Sequence, residues 1–314
     1  MVQLNKEQFR GRDFLSLQDF TAEEIQQMID VALELKAEVK AGIPHPVLKG
    51  KTLAMIFTKS STRTRVSFEV GIYQLGGTGL FLSSRDIQLG RGEPIADTAR
   101  VLSRMVDGIM IRTFSHQEVL DLAKYSTVPV INGLTDYLHP TQVLADLMTI
   151  KEYKGELKGL KLTYIGDGNN VAHSLLLGGT KMGMHVVIAS PQGYQPAPEI
   201  VKMATDNAAA SGGSVTVMED PKTAAQDADI LYTDVWASMG QESESEIRKR
   251  AFAGYQINGE ILKLAHPEAI VLHCLPAHRG EEITEDVIEG PQSAVFEEAE
   301  NRLHAHKAIM ALVM

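Results

Sequence analysis

Two hydrophobic rhythms alternate along the chain. Short unbroken apolar runs, bounded by turn-forming residues, read as buried strands: Leu53–Phe57, Gly108–Ile111, Val128–Ile131, Leu162–Ile165, His185–Ala189, Ile230–Thr233 and Ile270–His273. Between them lie longer stretches with apolar residues at helical spacing, among them Ala22–Lys40, Val66–Leu75, Pro94–Met105 and Gln142–Lys154. Such alternation predicts parallel sheets with helices on both faces. The pattern divides at the hinge-like KGELKG, residues 154–159. We therefore expect two doubly wound α/β domains, residues 1–150 and 151–295, with an active site in the cleft between them. A final helical segment, Phe296–Met314, sets Leu303, Lys307 and Met310 at turn spacing and is expected to pack back on the first domain.

Composition narrows the class. A length of 314 residues suits two domains, and 44% apolar with 22% charged residues is ordinary globular usage. No run reaches the roughly 18 apolar residues of a membrane span. The charged start, MVQLNKEQFRGRDFLSLQDF, lacks a signal-peptide core, so a cytoplasmic protein is expected. A formal net charge of −10 excludes a global basic field for nucleic acid. An anionic ligand would then need a local cluster of cations. The single cysteine, Cys274, excludes an internal disulfide and argues against a cysteine-rich zinc site.

In open α/β sheets ligands sit beyond the carboxyl ends of the strands, so the segments following each strand carry the chemistry. LAMIFTKSSTRTRVSFEV reads as strand, polar turn and helix. Ser60, Ser61 and Thr62 place hydroxyls and unpaired backbone N–H groups at the helix start, where the dipole favours phosphate. Arg63 adds a guanidinium fork for two oxygens. Arg65 has Glu69 at i+4 and reads as structural. Arg112 follows the strand GIMI, and His139-Pro140-Thr141-Gln142 opens another helix. Pro140 suits the first helical turn and biases His139 towards an extended backbone.

In the second half, GDGNNV could pass for a dinucleotide fingerprint. That motif needs a glycine at position 171, where this chain has Val171, and an acidic residue near Ser190. No nucleotide cofactor is expected. Asp234 follows a buried strand and is a natural partner for a cationic amine, though turn capping is an equally simple role. His273, Cys274 and His278 do not fall at a known metal-ligand spacing, and no metal is expected. His304 and His306, on the last helix, read as solvated or structural.

Ser61-Thr62-Arg63-Thr64-Arg65 resembles the carbamoyl-phosphate signature of the aspartate and ornithine carbamoyltransferases, and His139-Pro140-Thr141-Gln142 resembles their second motif. Ser238-Met239-Gly240 and HCLPAHRG resemble motifs of the ornithine branch. The resemblance covers essentially the whole chain. It implies that Ser61, Thr62, Arg63 and Thr64 hold the phosphate and carbamoyl oxygen, that Arg112 and His139 polarise the C=O, and that Gln142 orients the NH2 group. It brings Arg302 to the same site, and Gln88 to the site of a neighbouring subunit in a trimer. It assigns Asn170, Asp234, Ser238, Met239, Cys274 and Leu275 to ornithine, with Asp234 and Cys274 orienting and deprotonating the side-chain amine. It also implies a cis Leu275–Pro276 bond. The implied substrates are carbamoyl phosphate and L-ornithine. The rival readings are a carbamoyltransferase for putrescine or a modified ornithine, and a non-catalytic binding protein on the same fold.

Overall fold

The computed structural model describes residues 6–238 and 240–314. It separates into two compact units. The first runs to Met148 and adds Glu300–Met314; the second is Thr149–Ala299.

The first unit is built on a parallel sheet of β1 (Thr52–Phe57), β2 (Thr78–Ser83), β3 (Gly108–Arg112) and β4 (Val130–Leu134), in the order β2-β1-β3-β4. Its helices are α1 (Ala22–Lys40), α2 (Thr62–Gln74), α3 (Ile95–Leu102), α4 (His116–Tyr125) and the start of α5 (Pro140–Lys154). β1, β3 and β4 are buried on both faces, which is why they read as continuous apolar runs. Ala54, Ile56, Ile109 and Ile111 pack against Ala99, Val119 and Leu122 from α3 and α4. The α1 helix begins with a reciprocal cap: Thr21 accepts from the Glu24 N–H, and Glu24 accepts from the Thr21 N–H.

The second unit carries β5 (Lys161–Ile165), β6 (His185–Ala189), β7 (Ser214–Met218), β8 (Ile230–Thr233) and β9 (Ile270–His273), all parallel, in the order β7-β6-β5-β8-β9. Its helices are α6 (Asn170–Lys181), α7 (Pro198–Ser211), α8 (Pro221–Ala225), α9 (Ser245–Ala251), α10 (Gly259–Leu262) and α11 (Glu285–Ile288). Helix α12 (Val295–Val313) closes the chain. Leu303, Lys307 and Met310 of α12 lie over Gly71 of α2; a Cβ there would stand 3.0 Å from Met310 Cε and 3.2 Å from Lys307 Cγ. The last helix thus docks where α2 has no side chain.

Two strands escape the apolar-run reading, β2 and β7. Both lie at sheet edges and alternate between partly covered and exposed positions. Several boundaries also move. β4 starts at Val130 rather than Val128, because Pro129 interrupts the ladder. α2 begins at Thr62, four residues before its apolar stripe. α3 is shorter at both ends than its pattern, covering Ile95–Leu102.

In each unit the sheet reverses direction beside its first strand. β1 lies between β2 and β3, and β5 between β6 and β8. Such switch points leave a crevice at the strand ends.

Candidate active site

At the first switch point, the turn after β1 becomes the N-terminus of α2. Ser61 caps that helix, its hydroxyl accepting the Thr64 N–H at 3.1 Å. The Thr64 hydroxyl is a meeting point: Arg112 Nη1 donates to it at 3.3 Å and Arg302 Nη2 at 3.0 Å. Arg112 is the last residue of β3, and Arg302 comes from α12. Arg302 Nη1 also donates to Gln142 Oε1 at 2.6 Å, while Gln142 Nε2 donates to Asp146 Oδ1 at 2.8 Å. Gln142 lies in the first turn of α5, beside Pro140 and the buried Thr141. His139 just precedes that turn, its Nδ1 3.5 Å from Thr141 Oγ1. Thus Ser61, Thr64, Arg112, Gln142 and Arg302 form one bonded cluster, with His139 against it.

This cluster is buried and positive. Arg112 and Arg302 are 5% and 3% exposed. Burial, then the positive charges of Arg302 and Arg112, hold the His139 imidazole well below its usual range. His139 is therefore neutral at pH 7. Lys59, buried and paired to Asp136 at 2.9 Å, adds to the same field. Sequence reasoning passed over Lys59; its place immediately before the hydroxyl cluster was the available signal.

Thr62 and Arg63 share the α2 first turn, Thr62 exposed and Arg63 half-buried. Among the described residues, the Arg63 guanidinium has no hydrogen-bond or ion-pair partner. Gln88 is exposed in a short 3-10 turn, Gln88–Arg91, and makes no contact with the cluster. Arg65 pairs with Glu69 at 3.1 Å and lies over the Phe81 ring, as a structural residue does. His304 and His306 are both buried, which corrects the solvated reading.

The second switch point carries a different chemistry. The turn after β5 passes hard against residues 194–196; a Cβ on Gly168 would lie 2.3 Å from the Pro196 nitrogen, so only glycine fits. Ser190 Oγ donates to the Gly166 carbonyl at 2.6 Å, tying the end of β6 to the same turn. Asn169 caps α6, its Oδ1 accepting from the N–H groups of Val171 and Ala172. Its Nδ2 donates to Asp234 Oδ2 at 2.9 Å. Asp234 Oδ1 accepts from the Val235 N–H at 2.8 Å and from the Cys274 thiol at 3.0 Å. The structure therefore brings Asn169, Asp234 and Cys274 together. Asn170, the neighbouring expectation, is the first buried residue of α6. The doubled asparagine was visible in the sequence; which one faces Asp234 was not.

After β9 the chain turns sharply. Leu275 takes φ +56°, and the Leu275–Pro276 bond is cis, in agreement with the resemblance. His273 holds this turn: its Nδ1 accepts the Leu275 N–H at 2.9 Å and its Nε2 is 2.9 Å from Glu282 Oε1. Ser238 closes a local turn with Gln241, its N–H donating to Gln241 Oε1 at 3.0 Å, and does not touch the Asp234 cluster. Met239 lies outside the described residues. A buried arginine, Arg248 of α9, clasps the segment on either side of that motif. Its Nη1 donates to Asp167 Oδ2 at 2.8 Å and to the Trp236 carbonyl at 3.0 Å, and its Nε to Glu244 Oε2 at 3.0 Å. Burial raises the Asp167 carboxyl to about 6 against the pull of Arg248.

For a metal, Asp234, His273 and Cys274 bring ligand-type atoms within 4.8 Å of one another, as do His278, Glu281 and Glu282. Both ring nitrogens of His273 are already engaged, and the Cys274 thiol donates to Asp234. In the first of these groups the side chains orient the turn after β9.

Two family models account for the chain. The carbamoyl-P binding domain of aspartate/ornithine carbamoyltransferase matches residues 12–152, and the Asp/Orn binding domain matches residues 158–313. The chain belongs to the aspartate/ornithine carbamoyltransferase family. It is 63% identical over 304 residues to the ornithine carbamoyltransferase of Thermococcus kodakarensis, covering 97% of this chain and 96% of that one. It is 64% identical over 305 residues to that of Symbiobacterium thermophilum, covering 97% and 98%. The solved ornithine carbamoyltransferase from Pyrococcus furiosus superposes with a TM-score of 0.95 at 60% identity, covering 97% of both chains. Within the family, its branch is that of the ornithine carbamoyltransferases. Among the described residues, no helix is long and apolar enough to cross a membrane.

Proposed function

We infer that the chain transfers the carbamoyl group of carbamoyl phosphate to the side-chain amine of L-ornithine, giving L-citrulline and phosphate in arginine metabolism. One observation carries the reading: two buried guanidiniums and a neutral histidine converge at a helix N-terminus, at the carboxyl end of a parallel sheet. That arrangement suits a small dianion with a carbonyl to polarise.

The parts take the following roles. The α2 N-terminus, with Ser61, Thr62, Arg63 and Thr64, holds the phosphate. Arg112 and His139 donate to the carbamoyl oxygen, where negative charge builds as the amine attacks. Removing one donor from such a site typically costs ~2.7–4 kcal/mol. Gln142, held by Arg302 and flanked by Pro140 and Thr141, orients the carbamoyl NH2. In the second unit, Asp234 receives the ornithine amine, with Asn169 fixing one carboxylate oxygen and Cys274 the other. Asn170, Ser238, Met239 and Leu275 are assigned to the remainder of ornithine. The amine must shed its proton first, since its ordinary pKa is about 10.4. Its lone pair then attacks the carbonyl carbon, the C–O bond to phosphate breaks, and the departing phosphate takes the remaining excess proton from the attacking nitrogen. No resident cofactor or metal enters these steps.

A homotrimer or a higher assembly of trimers, with Gln88 reaching a neighbour's site, belongs to this reading, as does a cytoplasmic location. A surface feature supports self-association. Val66, Val70 and Tyr73 recur at helical spacing on α2 and are 51%, 37% and 78% exposed. Light scattering that gives three copies per particle, or a multiple of three, checks the assembly; a monomer removes Gln88 from the site.

The decisive assay offers ornithine, putrescine and N-acetylornithine in turn with carbamoyl phosphate. Citrulline formation at least a hundredfold more efficient than either rival reaction is expected. Preference for putrescine would place the chain with the first rival, and no turnover with any amine would leave a binding protein.

A further inference from the structure

The carbamoyl-phosphate cluster is backed by a second layer that none of the motifs contains. His306 lies one helical turn beyond Arg302 on α12 and is fully buried. Arg302 Nε donates to His306 Nε2 at 3.4 Å. His306 Nδ1 lies 2.8 Å from Ser67 Oγ, and Ser67 Oγ donates to the Arg63 carbonyl at 2.7 Å. The Phe68 ring stacks on the imidazole, centroids 4.0 Å apart and planes 18° apart.

These bonds have only one consistent direction. An arginine Nε–H can donate and never accept, so His306 Nε2 is the acceptor and Nδ1 carries the proton. Nδ1–H then donates to Ser67, which leaves the serine proton for the Arg63 carbonyl. The relay runs from Arg302 to the backbone of the first turn of α2. A protonated imidazole would break it. Burial and the neighbouring Arg302 hold His306 well below the usual imidazole range, so the neutral form is the one present.

We propose that His306 is a positioning residue for carbamoyl phosphate: it locks the Nε edge of Arg302, so that Nη1 and Nη2 face Gln142 and Thr64, and ties that guanidinium to the phosphate-binding turn through Ser67. His306 touches no substrate. It sets the orientation of the groups that do, and the inference rests on the reading of the first unit as the carbamoyl-phosphate site. A histidine filling a core beside Phe68 would have the same burial, so the test must separate orientation from packing.

His306→Leu keeps an apolar side chain in the space and removes the acceptor. His306→Gln restores an acceptor for Arg302 and a donor for Ser67. The leucine variant should raise the KM for carbamoyl phosphate about tenfold, the scale of a lost hydrogen bond to a charged group. Its ornithine KM should stay within twofold of the parent. The glutamine variant should recover the carbamoyl-phosphate KM to within about threefold. Should the leucine variant fail to fold, Ser67→Ala, which breaks the relay from its other end, should raise the same KM about threefold. Calorimetric binding of phosphonoacetamide, an unreactive carbamoyl phosphate analogue, should follow the same order.

A leucine variant within twofold of the parent overturns the proposal. So does a glutamine variant as impaired as leucine, which would make the role packing, and, where leucine does not fold, an unaffected Ser67→Ala. An active parent with unaffected variants sinks this inference alone. A parent that neither forms citrulline nor binds phosphonoacetamide sinks the functional reading and this inference with it.

Discussion

The two switch points share a geometry and differ in charge. The first gathers Arg112, Arg302 and Lys59 around a histidine held neutral. The second gathers an aspartate, an amide and a thiol around a sharp turn, and the buried Arg248 there donates to Asp167. A parallel sheet supplies the same crevice in both cases. The side chains at the strand ends then decide which sign of ligand it suits: a dianion in one, an ammonium in the other. The lesson is that the fold sets where a ligand sits, and a handful of residues sets what it is.

The sharpest way to break this contrast is to remove one charge from each side and ask which substrate notices. Arg112→Ala should lower kcat by roughly 10²–10³, the usual effect of losing a preorganised donor. It should weaken carbamoyl phosphate and leave ornithine affinity nearly unchanged. Asp234→Asn should do the converse, with kcat/KM for ornithine down by about 10² and carbamoyl-phosphate binding intact. Steady-state kinetics with each substrate varied in turn decides it. Equal sensitivity of both substrates to both variants would end the division of labour.

A smaller effect concerns the clasp. Arg248 pulls the Asp167 carboxyl down against burial, which still leaves it raised to about 6. A raised carboxyl pKa means that the folded chain keeps a proton the unfolded chain has lost. Stability therefore falls as pH rises from about 4 to about 6, and the loss is complete above that window. Arg248→Met should push the carboxyl further up and extend the falling region above pH 6. It should also raise the ornithine KM about tenfold near neutrality, because the Trp236 carbonyl and Glu244 lose their common anchor. The chain has one tryptophan, Trp236, so its fluorescence reports this segment directly. A variant whose stability profile and ornithine KM match the parent's would show that the clasp is idle.

How much of this was legible before the structure depends on where each residue gets its partners. Strands such as β6, β8 and β9 are buried on both faces, so an unbroken apolar run located them to the residue. β2 and β7 stand at sheet edges, where TGLFLS and SVTVM are only partly covered and form no unbroken apolar run. STRTR and HPTQ gather polar and charged side chains at helix starts, so each motif was visible in the sequence although the partners of Thr64 and Gln142, Arg112 and Arg302, lie 48 to 238 residues away. Asn169, Arg248 and His306 differ. None belongs to a motif that carries the resemblance, and each owes part of its role to a distant residue: Asp234, Asp167 and Ser67 lie 65, 81 and 239 residues away.

The first unit buries a further cation, and it offers the mildest test of the comparison. Lys307 is fully buried on α12; its Nζ donates to Gln74 Oε1 at 2.8 Å and lies 2.6 Å from His45 Nε2. Burial lowers its pKa to about 8, partly offset by Glu38. A lysine depressed on folding binds fewer protons than the unfolded chain between about 8 and 10.5. Stability contributed at this position therefore rises with pH across that window. Other lysines and tyrosines titrate there as well, so the readout is the difference between the parent and Lys307→Met. That difference should move in the parent's favour by one or two degrees of Tm between pH 8 and 10, and stay level between pH 6 and 7. Carbamoyl-phosphate KM should not follow, because this charge faces His45 and Gln74 rather than the Thr64 cluster. A flat difference above pH 8 would mean that Lys307 titrates like an exposed lysine. A matching change in KM would mean that the buried positive charge of this unit acts as one field, rather than as a ligand site with a separate structural ion beside it.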